Sequence, residues 1–432
     1  MKFVLLISIL VLLILSGVES SLFGKFLVIN DVHVDKNYQE GSMVECTTKC
    51  PCCCQSFPSS NYTGQKATKW GSINCNSPFV LFEQLIPQIQ KQPVDFIVFL
   101  GDTPYMAFWD VDYADTISYI MFLSQELSKL ADIPVIPVLG NHDYSPADQF
   151  NCHSDMADYY KTMAALYQDW IIDQDTFLKC GYYSQSIIPG LRFVIINGML
   201  CDPANIYTQN RPQDWEDQIE WVDNEIEKAK LNGEKVYIFS HIPVGKSSRR
   251  IIPPLCYTDS SLKLAKIMEK YPDTIVAMFS GHTHFDEFRV IYDTKTFTKP
   301  VGMNLISPSF VPEGNRYSGF RVYDYDKNNF NITNIHQWYS DTYNVPDDGI
   351  PYWNKYFDFN VDYQRFGIDK INPNGLDKLV KLIKTDPEMF KFYYSRYAPK
   401  WDFTKVTLQK EKMIKCSLAL TSNDIYSNCF DE

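Results

Sequence analysis

The chain has 432 residues, 45% of them hydrophobic, enough to bury a large core in one long α/β unit or in several smaller domains. Its formal net charge is −12, and no block of clustered Lys or Arg interrupts the acidity. A duplex DNA or RNA partner is thereby excluded, because a phosphate backbone is held by a basic surface.

At the start of the chain, Lys2 precedes an apolar run from Phe3 to Leu15 and then small and polar residues through Ser20. This order predicts a secretory signal peptide over residues 1–20. A membrane anchor is the alternative, but about 20 apolar residues are needed to span a bilayer and this run is shorter. No later stretch is apolar enough to span, and the last residues lack the tail of a lipid-anchor signal. The expected destination is secretion, with the lysosome as a variant of the same route. In that compartment the twelve cysteines predict disulfides. The cluster Cys46, Cys50, Cys52, Cys53, Cys54 and Cys75 then forms a stapled loop in preference to a metal site. The triplets beginning at Asn61 and Asn331 are glycosylation sequons.

Short apolar runs rich in Val, Ile and Phe follow: Phe26 to Ile29, Phe96 to Leu100, Ile133 to Leu139, Phe193 to Ile196, Val236 to Phe239 and Ile275 to Phe279. Runs of this kind predict strands buried on both faces, with prolines counting against the third. Trp215 to Ala229 has helical spacing, and the alternation predicts an α/β sandwich flanked by helices. Beyond about Tyr339 aromatics become dense, and Leu376 to Ile383 and Glu388 to Tyr397 predict helices. The expected division is a core over residues 21–340 and a C-terminal helical subdomain over residues 341–432.

Five of the predicted strands are followed by residues that bind metals. These are Asp31-Val32-His33, Gly101-Asp102, Gly140-Asn141-His142-Asp143, Ser240-His241 and Gly281-His282-Thr283-His284. In open α/β sheets the carboxyl ends of strands converge on one crevice. Of seven histidines only His153 and His336 lie outside these segments. On extended backbone, side chains two apart point the same way, so Asp31 and His33 can grip one ion. His282 and His284 emerge together and, with small bends, divide between two ions. Gly101, Gly140 and Gly281 permit sharp exits from the strands. Imidazole and carboxylate suit zinc, and also iron or manganese. Singly, each motif is common and a lone histidine is more often core or surface; five in order, each after a strand, are not a coincidence. Asp143 has two equal roles open to it, orienting the neighbouring chain or simply making a turn.

The series Asp-x-His, Gly-Asp, Gly-Asn-His-Asp, His-Ile-Pro and Gly-His-Thr-His resembles the calcineurin-like metallophosphoesterases. More narrowly it is similar to the acid sphingomyelinase-like phosphodiesterases, through Gly101-Asp102-Thr103-Pro104, Asn197 before Cys201, Gly281 to Asp286, Ser307-Pro308-Ser309, Asn315-Arg316 and Phe320 to Tyr323. The resemblance implies a metallophosphoesterase β-sandwich in which Asp31, His33, Asp102 and His284 hold one ion. Asp102, Asn141, His241 and His282 would hold a second, with Asp102 bridging and His142 beside the leaving-group oxygen. It further implies two Zn²⁺ ions, disulfides Cys201–Cys256 and Cys416–Cys429, and a staple from the Cys46 to Cys54 cluster to Cys75. The implied reaction is hydrolysis of sphingomyelin to ceramide and phosphocholine, or of a small phosphodiester such as a nucleotide, with peripheral contact at a membrane surface in the lipid case. Two features depart from the family. Met106 stands where relatives often carry a second histidine, and residues 21–30 leave no room for a lipid-presenting saposin domain before Asp31.

Two rivals remain. Gly101-Asp102-Thr103-Pro104-Tyr105 also matches the pattern of purple acid phosphatases, in which the tyrosine binds ferric iron, although His33 replaces the glycine of that family. A secreted binding protein with a decayed site is the other, against which all seven ligand positions hold competent residues. Tyr105, Phe108 and Trp109 are candidates for a substrate pocket, or for ordinary core packing.

Overall fold

The computed structural model describes residues 22–45, 54–58, 60–106, 111–130, 132–209, 217–250, 254–346 and 349–431. The proposed signal peptide, Cys46, Cys50, Cys52, Cys53, Phe108 and Trp109 lie outside them. In chain order the main strands are β1 (Phe23–Ile29), β2 (Phe96–Phe99), β3 (Val135–Pro137), β4 (Tyr183–Ile188), β5 (Leu191–Ile195), β6 (Lys235–Phe239) and β7 (Ile275–Ser280). They continue with β8 (Glu287–Tyr292), β9 (Pro300–Ile306), β10 (Ser318–Asp326), β11 (Ile332–Ser340), β12 (Asn354–Asp358) and β13 (Ala419–Leu420). One sheet has the order β12-β11-β10-β1-β2-β3 and the other β13-β8-β9-β7-β6-β5-β4. The strands that deliver the metal motifs, β1-β2-β3 and β6-β7, pair in parallel within their sheets.

Side-chain alternation explains the layering. Phe26 and Val28 of β1 point into the seam between the sheets, where Phe26 stacks on Phe96 at 4.8 Å and meets Phe279 of the other sheet edge-on at 5.3 Å. Leu27 and Ile29 point the other way, onto α1 (Phe79–Ile89) and α2 (Tyr113–Ser128) through Leu81, Leu85 and Leu123. On the second sheet Val236, Ile238 and Met278 face α3 (Gln218–Leu231) and α4 (Thr258–Lys270) through Val222, Ile226 and Leu264. Strands covered on both faces explain why these segments carry apolar residues without polar interruption. The proline-bounded third run forms only β3, at a sheet edge, where Pro134 and Pro137 remove no interior ladder bond.

The chain beyond residue 340 forms helices α5 (Pro373–Thr385) and α6 (Pro387–Tyr397), as the spacing predicts, and also α7 (Leu408–Ser417), which is not among the expected helices. It also extends both sheets, through β12 and β13, which the sequence pattern does not reveal. Disulfides join Cys201–Cys256, Cys416–Cys429, Cys54–Cys75 and Cys152–Cys180. Asn61 and Asn331 are both exposed. No helix among the described residues is long and apolar enough to cross a membrane.

Candidate dinuclear metal centre

The loops after β1 and β2 are zipped together. Asp31 N–H donates to the Gly101 carbonyl at 3.0 Å, and Val32 and His33 N–H donate to the Asp102 carbonyl at 2.9 and 3.1 Å. The segments after β6 and β7 join the same rim through Gly281 N–H to the His241 carbonyl at 3.0 Å. Gly101, at φ 90°, abuts Gly140 so closely that a Cβ on either would strike the other segment's backbone.

Two groups of ligand atoms result, Asp31 with His33 and His284, and Asp102 with His241 and His282. One carboxylate oxygen links them: Asp102 Oδ2 lies 3.5 Å from His33 Nε2 and 3.2 Å from His241 Nε2. Asp31 Oδ1 lies 3.1 Å from His284 Nε2 and 3.9 Å from His33 Nε2. Asn141 Oδ1 is 2.9 Å from both His241 Nε2 and His282 Nδ1, so it joins the second group. All seven sequence-predicted positions therefore meet at one rim. The backbone that brings them there is not extended, as the spacing suggests, but left-handed: φ is 50° at Asp31, 43° at His33, 64° at Asp102, 67° at His282 and 65° at His284. Non-glycine residues held at positive φ carry strain, which concentrates at functional sites.

Each ligand is aimed by a partner behind it. His33 Nδ1 pairs with the Pro104 carbonyl at 2.8 Å and His241 Nδ1 with the Leu100 carbonyl at 2.6 Å, leaving both Nε2 atoms facing the centre. His282 N–H donates to Asp31 Oδ2 at 2.9 Å, and Asn30 Nδ2 bonds the same oxygen and the Ser307 carbonyl. His142 N–H donates to Asp102 Oδ1 at 2.8 Å. The Asp143 carboxylate accepts from Asp102 N–H at 3.0 Å, Gly140 N–H at 2.7 Å and Thr103 N–H at 2.9 Å. Of the two roles open to Asp143, orienting the neighbouring chain is the one these bonds describe. Asn30 and the Asp148 carboxylate that accepts from Asn141 Nδ2 at 2.7 Å are supports that motif spacing alone does not identify.

The electrostatics fit a divalent pair. Asp31 Oδ1 and His33 Nε2 are buried without a hydrogen-bond partner, a costly state that a bound cation would relieve. Burial pushes the His33 imidazole down to about 3, against the opposing pull of Asp102, and burial together with the His241 charge pushes His282 to about 3. Burial also lowers His284. All three are held neutral, the form that binds metal. Burial alone would raise Asp31, but His284 and His241 outweigh it and keep the carboxylate ionised. His241 goes the other way: burial lowers it, the Asp102 and Asp31 carboxylates outweigh that, and it rises to about 10. The same two carboxylates that raise His241 would favour a divalent cation in place of its proton.

The ligands open onto a cavity of about 350 Å³ that His142, Met106, Arg249 and Arg250 also line. The His142 ring stands edge-on to His33 at 5.1 Å and belongs to neither ligand group. Tyr105 is 5% exposed and packs in the apolar cluster of Val32, Val34 and Leu81. Arg316, from the Asn315-Arg316 pair of the resemblance, donates to His284 Nδ1 at 3.0 Å. Arg249 and Arg250 lie outside the motifs, and no spacing signal points to them.

Two predictions concern buried carboxyl groups. Asp143→Asn places an amide NH₂ against one of three buried N–H donors and is expected to cost about 2–4 kcal/mol, read by urea unfolding, with turnover falling as Asp102 shifts. Asp202, buried beside the Cys201–Cys256 disulfide, has its carboxyl pushed up to about 7 by burial, while the Ala204 N–H bond only partly opposes this. A carboxyl harder to ionise folded than unfolded contributes stability that is present below the ordinary carboxylate range and is lost as pH rises through about 7. At ~1.4 kcal/mol for each pH unit between the two values, the loss is at most about 4 kcal/mol. Unfolding free energies at pH 5 and pH 8 should differ in that sense in the native chain, and the difference should shrink in Asp202→Asn.

Comparison with known proteins agrees with this geometry. Residues 24–286 match the family model described as calcineurin-like phosphoesterase, and residues 299–432 match the acid sphingomyelin phosphodiesterase C-terminal region. Sphingomyelin phosphodiesterase A of Dictyostelium discoideum is 30% identical over 86% of this chain, and sphingomyelin phosphodiesterase of Homo sapiens 28% identical over 87%. The chain spans only 62% and 60% of the length of these two relatives. Cyclic GMP-AMP phosphodiesterase SMPDL3A of Homo sapiens is 28% identical over 95% of this chain and 90% of its own length. A fold of two mixed sheets flanked by helices, a candidate dinuclear centre at their carboxyl ends, and a family match over more than half the sequence lead to one conclusion: the chain belongs to the calcineurin-like phosphoesterases, in the branch that carries the acid sphingomyelin phosphodiesterase C-terminal region.

Proposed function

We propose that the chain is a metal-dependent phosphodiester hydrolase of the acid sphingomyelinase type, acting on sphingomyelin or on a small phosphodiester such as a nucleotide. The observation that carries this is Asp102 Oδ2 standing between His33 and His241, one from each ligand group, beneath a cavity into which His142 projects. Asp31, His33, Asp102 and His284 would hold one ion, and Asp102, Asn141, His241 and His282 the other. Imidazole-rich sites of this composition suit Zn²⁺, with Fe or Mn as alternatives. When bound, such a pair supplies the nucleophile and the positive charge that in-line hydrolysis of a phosphate ester needs. The chain's own residues do the rest. His142 gives a proton to the departing alkoxide. Asp143 fixes the Asp102 backbone, and Asn141, anchored by Asp148, keeps its oxygen toward the centre.

The purple acid phosphatase alternative requires a tyrosinate at the metal, and the packing of Tyr105 in an apolar cluster supports the diesterase instead. Four disulfides among the described residues support passage through an oxidising compartment, hence secretion or delivery to the lysosome. The division into a signal peptide, a core to residue 340 and a C-terminal subdomain belongs to the same proposal, as does glycosylation at Asn61 and Asn331.

The test is turnover of bis(p-nitrophenyl) phosphate, p-nitrophenyl phosphate, a dinucleotide and sphingomyelin micelles by zinc-loaded protein across pH 4–8. Diesterase activity that a chelator removes and zinc restores is expected. A purple protein that prefers the monoester, or a metal-loaded protein inert on every diester, would overturn the proposal in favour of the phosphatase or of a binding protein.

A further inference from the structure

The cavity over the metal ligands is lined by two adjacent arginines, Arg249 and Arg250, in a chain whose net charge is −12. Both side chains are exposed, and neither takes part in an ion pair or side-chain hydrogen bond among the described residues. Their backbone, by contrast, is tightly held. Ser247 Oγ accepts the N–H of Arg249 at 3.1 Å and of Arg250 at 3.3 Å. Ser248, 1% exposed, is clamped from three sides: its hydroxyl bonds Glu287 at 2.7 Å and Tyr397 at 3.0 Å, and its carbonyl accepts from Lys410 Nζ at 3.0 Å. A rigid turn thus presents two uncommitted guanidinium groups to the space where substrate must lie.

The surroundings do not neutralise them. The Arg249 guanidinium sits 5.6 Å from the centre of the Phe285 ring, which it shares with Arg316 at 5.3 Å and Lys410 at 5.7 Å. Arg316 already has Glu313 at 2.9 Å, and Glu287 already has Arg289. On the other side, Asp148 and Asp202 lie within electrostatic reach of Arg250. The first is engaged by Asn141, and the second bonds Ala204 N–H. An arginine fork matches the oxygen geometry of a phosphate, and a cavity lined with one sign of charge draws in ligands of the other. A quaternary ammonium asks for the opposite environment, an aromatic cage.

We propose that Arg249 and Arg250 form a second anion subsite beside the metal centre, so that the chain selects phosphodiesters bearing a further phosphate over choline-headed ones. This rests on the phosphodiesterase assignment above and names the substrate chemistry within it. Lys410, from helix α7, is a positioning residue for the turn.

A matched pair of substrates tests it: the thymidine dinucleotide with and without a 5′-terminal phosphate, which present the same scissile diester. Zinc-loaded protein should cleave the phosphorylated form with at least about tenfold higher kcat/KM, chiefly through KM. In Arg249→Gln/Arg250→Gln the ratio should fall to within about twofold of one, with Arg249→Lys/Arg250→Lys retaining part of the preference. Lys410→Met should lower the ratio without changing metal content. Equilibrium binding of both dinucleotides to the His142→Ala protein provides a readout that needs no turnover, and circular dichroism checks the fold of each variant. A ratio near one in the native chain, or a preference that survives loss of both arginines, overturns the subsite. Turnover of bis(p-nitrophenyl) phosphate alongside a ratio of one would sink the subsite alone. Absence of diester turnover, with the binding preference intact, would sink the enzymatic assignment and leave the subsite standing.

Discussion

Asp102→Ala is expected to empty both metal positions at once and to lower kcat/KM by about 10³-fold or more. The reason is geometric. Asp102 Oδ2 faces one histidine of each ligand group, so its removal takes a donor from both ions, whereas loss of any single histidine takes one from a single ion. Its other oxygen holds the His142 backbone, so the variant also frees the proposed acid. The fold should persist, because three N–H donors of this turn remain bonded to Asp143. Metal analysis after dialysis should give less than one ion per chain against two in the native protein. A variant that kept two would show that Asp102 is not shared.

His142→Ala is expected to do the reverse, keeping both ions while turnover falls by about 10²–10⁴-fold. The ring lies beside His33 but outside both ligand groups, so its loss costs no metal donor. Substrates with a good leaving group, such as p-nitrophenolate, need little protonation and should suffer much less than alkyl diesters. The ratio of the two losses separates a proton donor from a residue that merely shapes the cavity. Equal losses on both substrates, or loss of metal with activity, would remove His142 from the role. Because Met106 lines the cavity where relatives often place an imidazole, no second histidine outside the ligand groups lines the cavity among the described residues, which makes the expected loss large.

Much of this centre is legible in the sequence because its ligands follow strands that betray themselves by uninterrupted apolar runs, and strand ends on one side of a sheet share a rim. Asp31, His33, Asp102, Asn141, His241, His282 and His284 emerge from that logic. The local conformation does not. Spacing suggests extended backbone, yet Asp31 and His33 are left-handed because their N–H groups bond to the Gly101 and Asp102 carbonyls, a constraint set by a distant segment. Asn30 is not recognisable as a support, and the two roles open to Asp143 are not separable, for the same reason: each acts through a bond to backbone or side chain whose position only the fold supplies. Arg249 and Arg250 fall below a search for basic blocks, being two charges in an acidic chain, and acquire meaning only from the cavity they face. In the C-terminal part, α5 and α6 are clear from apolar periodicity. Strand β12, with three exposed residues of five, and the two-residue β13 carry no pattern strong enough to betray a sheet.

The central claim is that two ions share one centre across Asp102. Anomalous diffraction from crystals of the zinc-loaded chain tests it most directly. Two peaks about 3.5–4 Å apart are expected, one among Asp31, His33 and His284, the other among Asn141, His241 and His282, with Asp102 between them. A single peak, or peaks remote from Asp102, would contradict it.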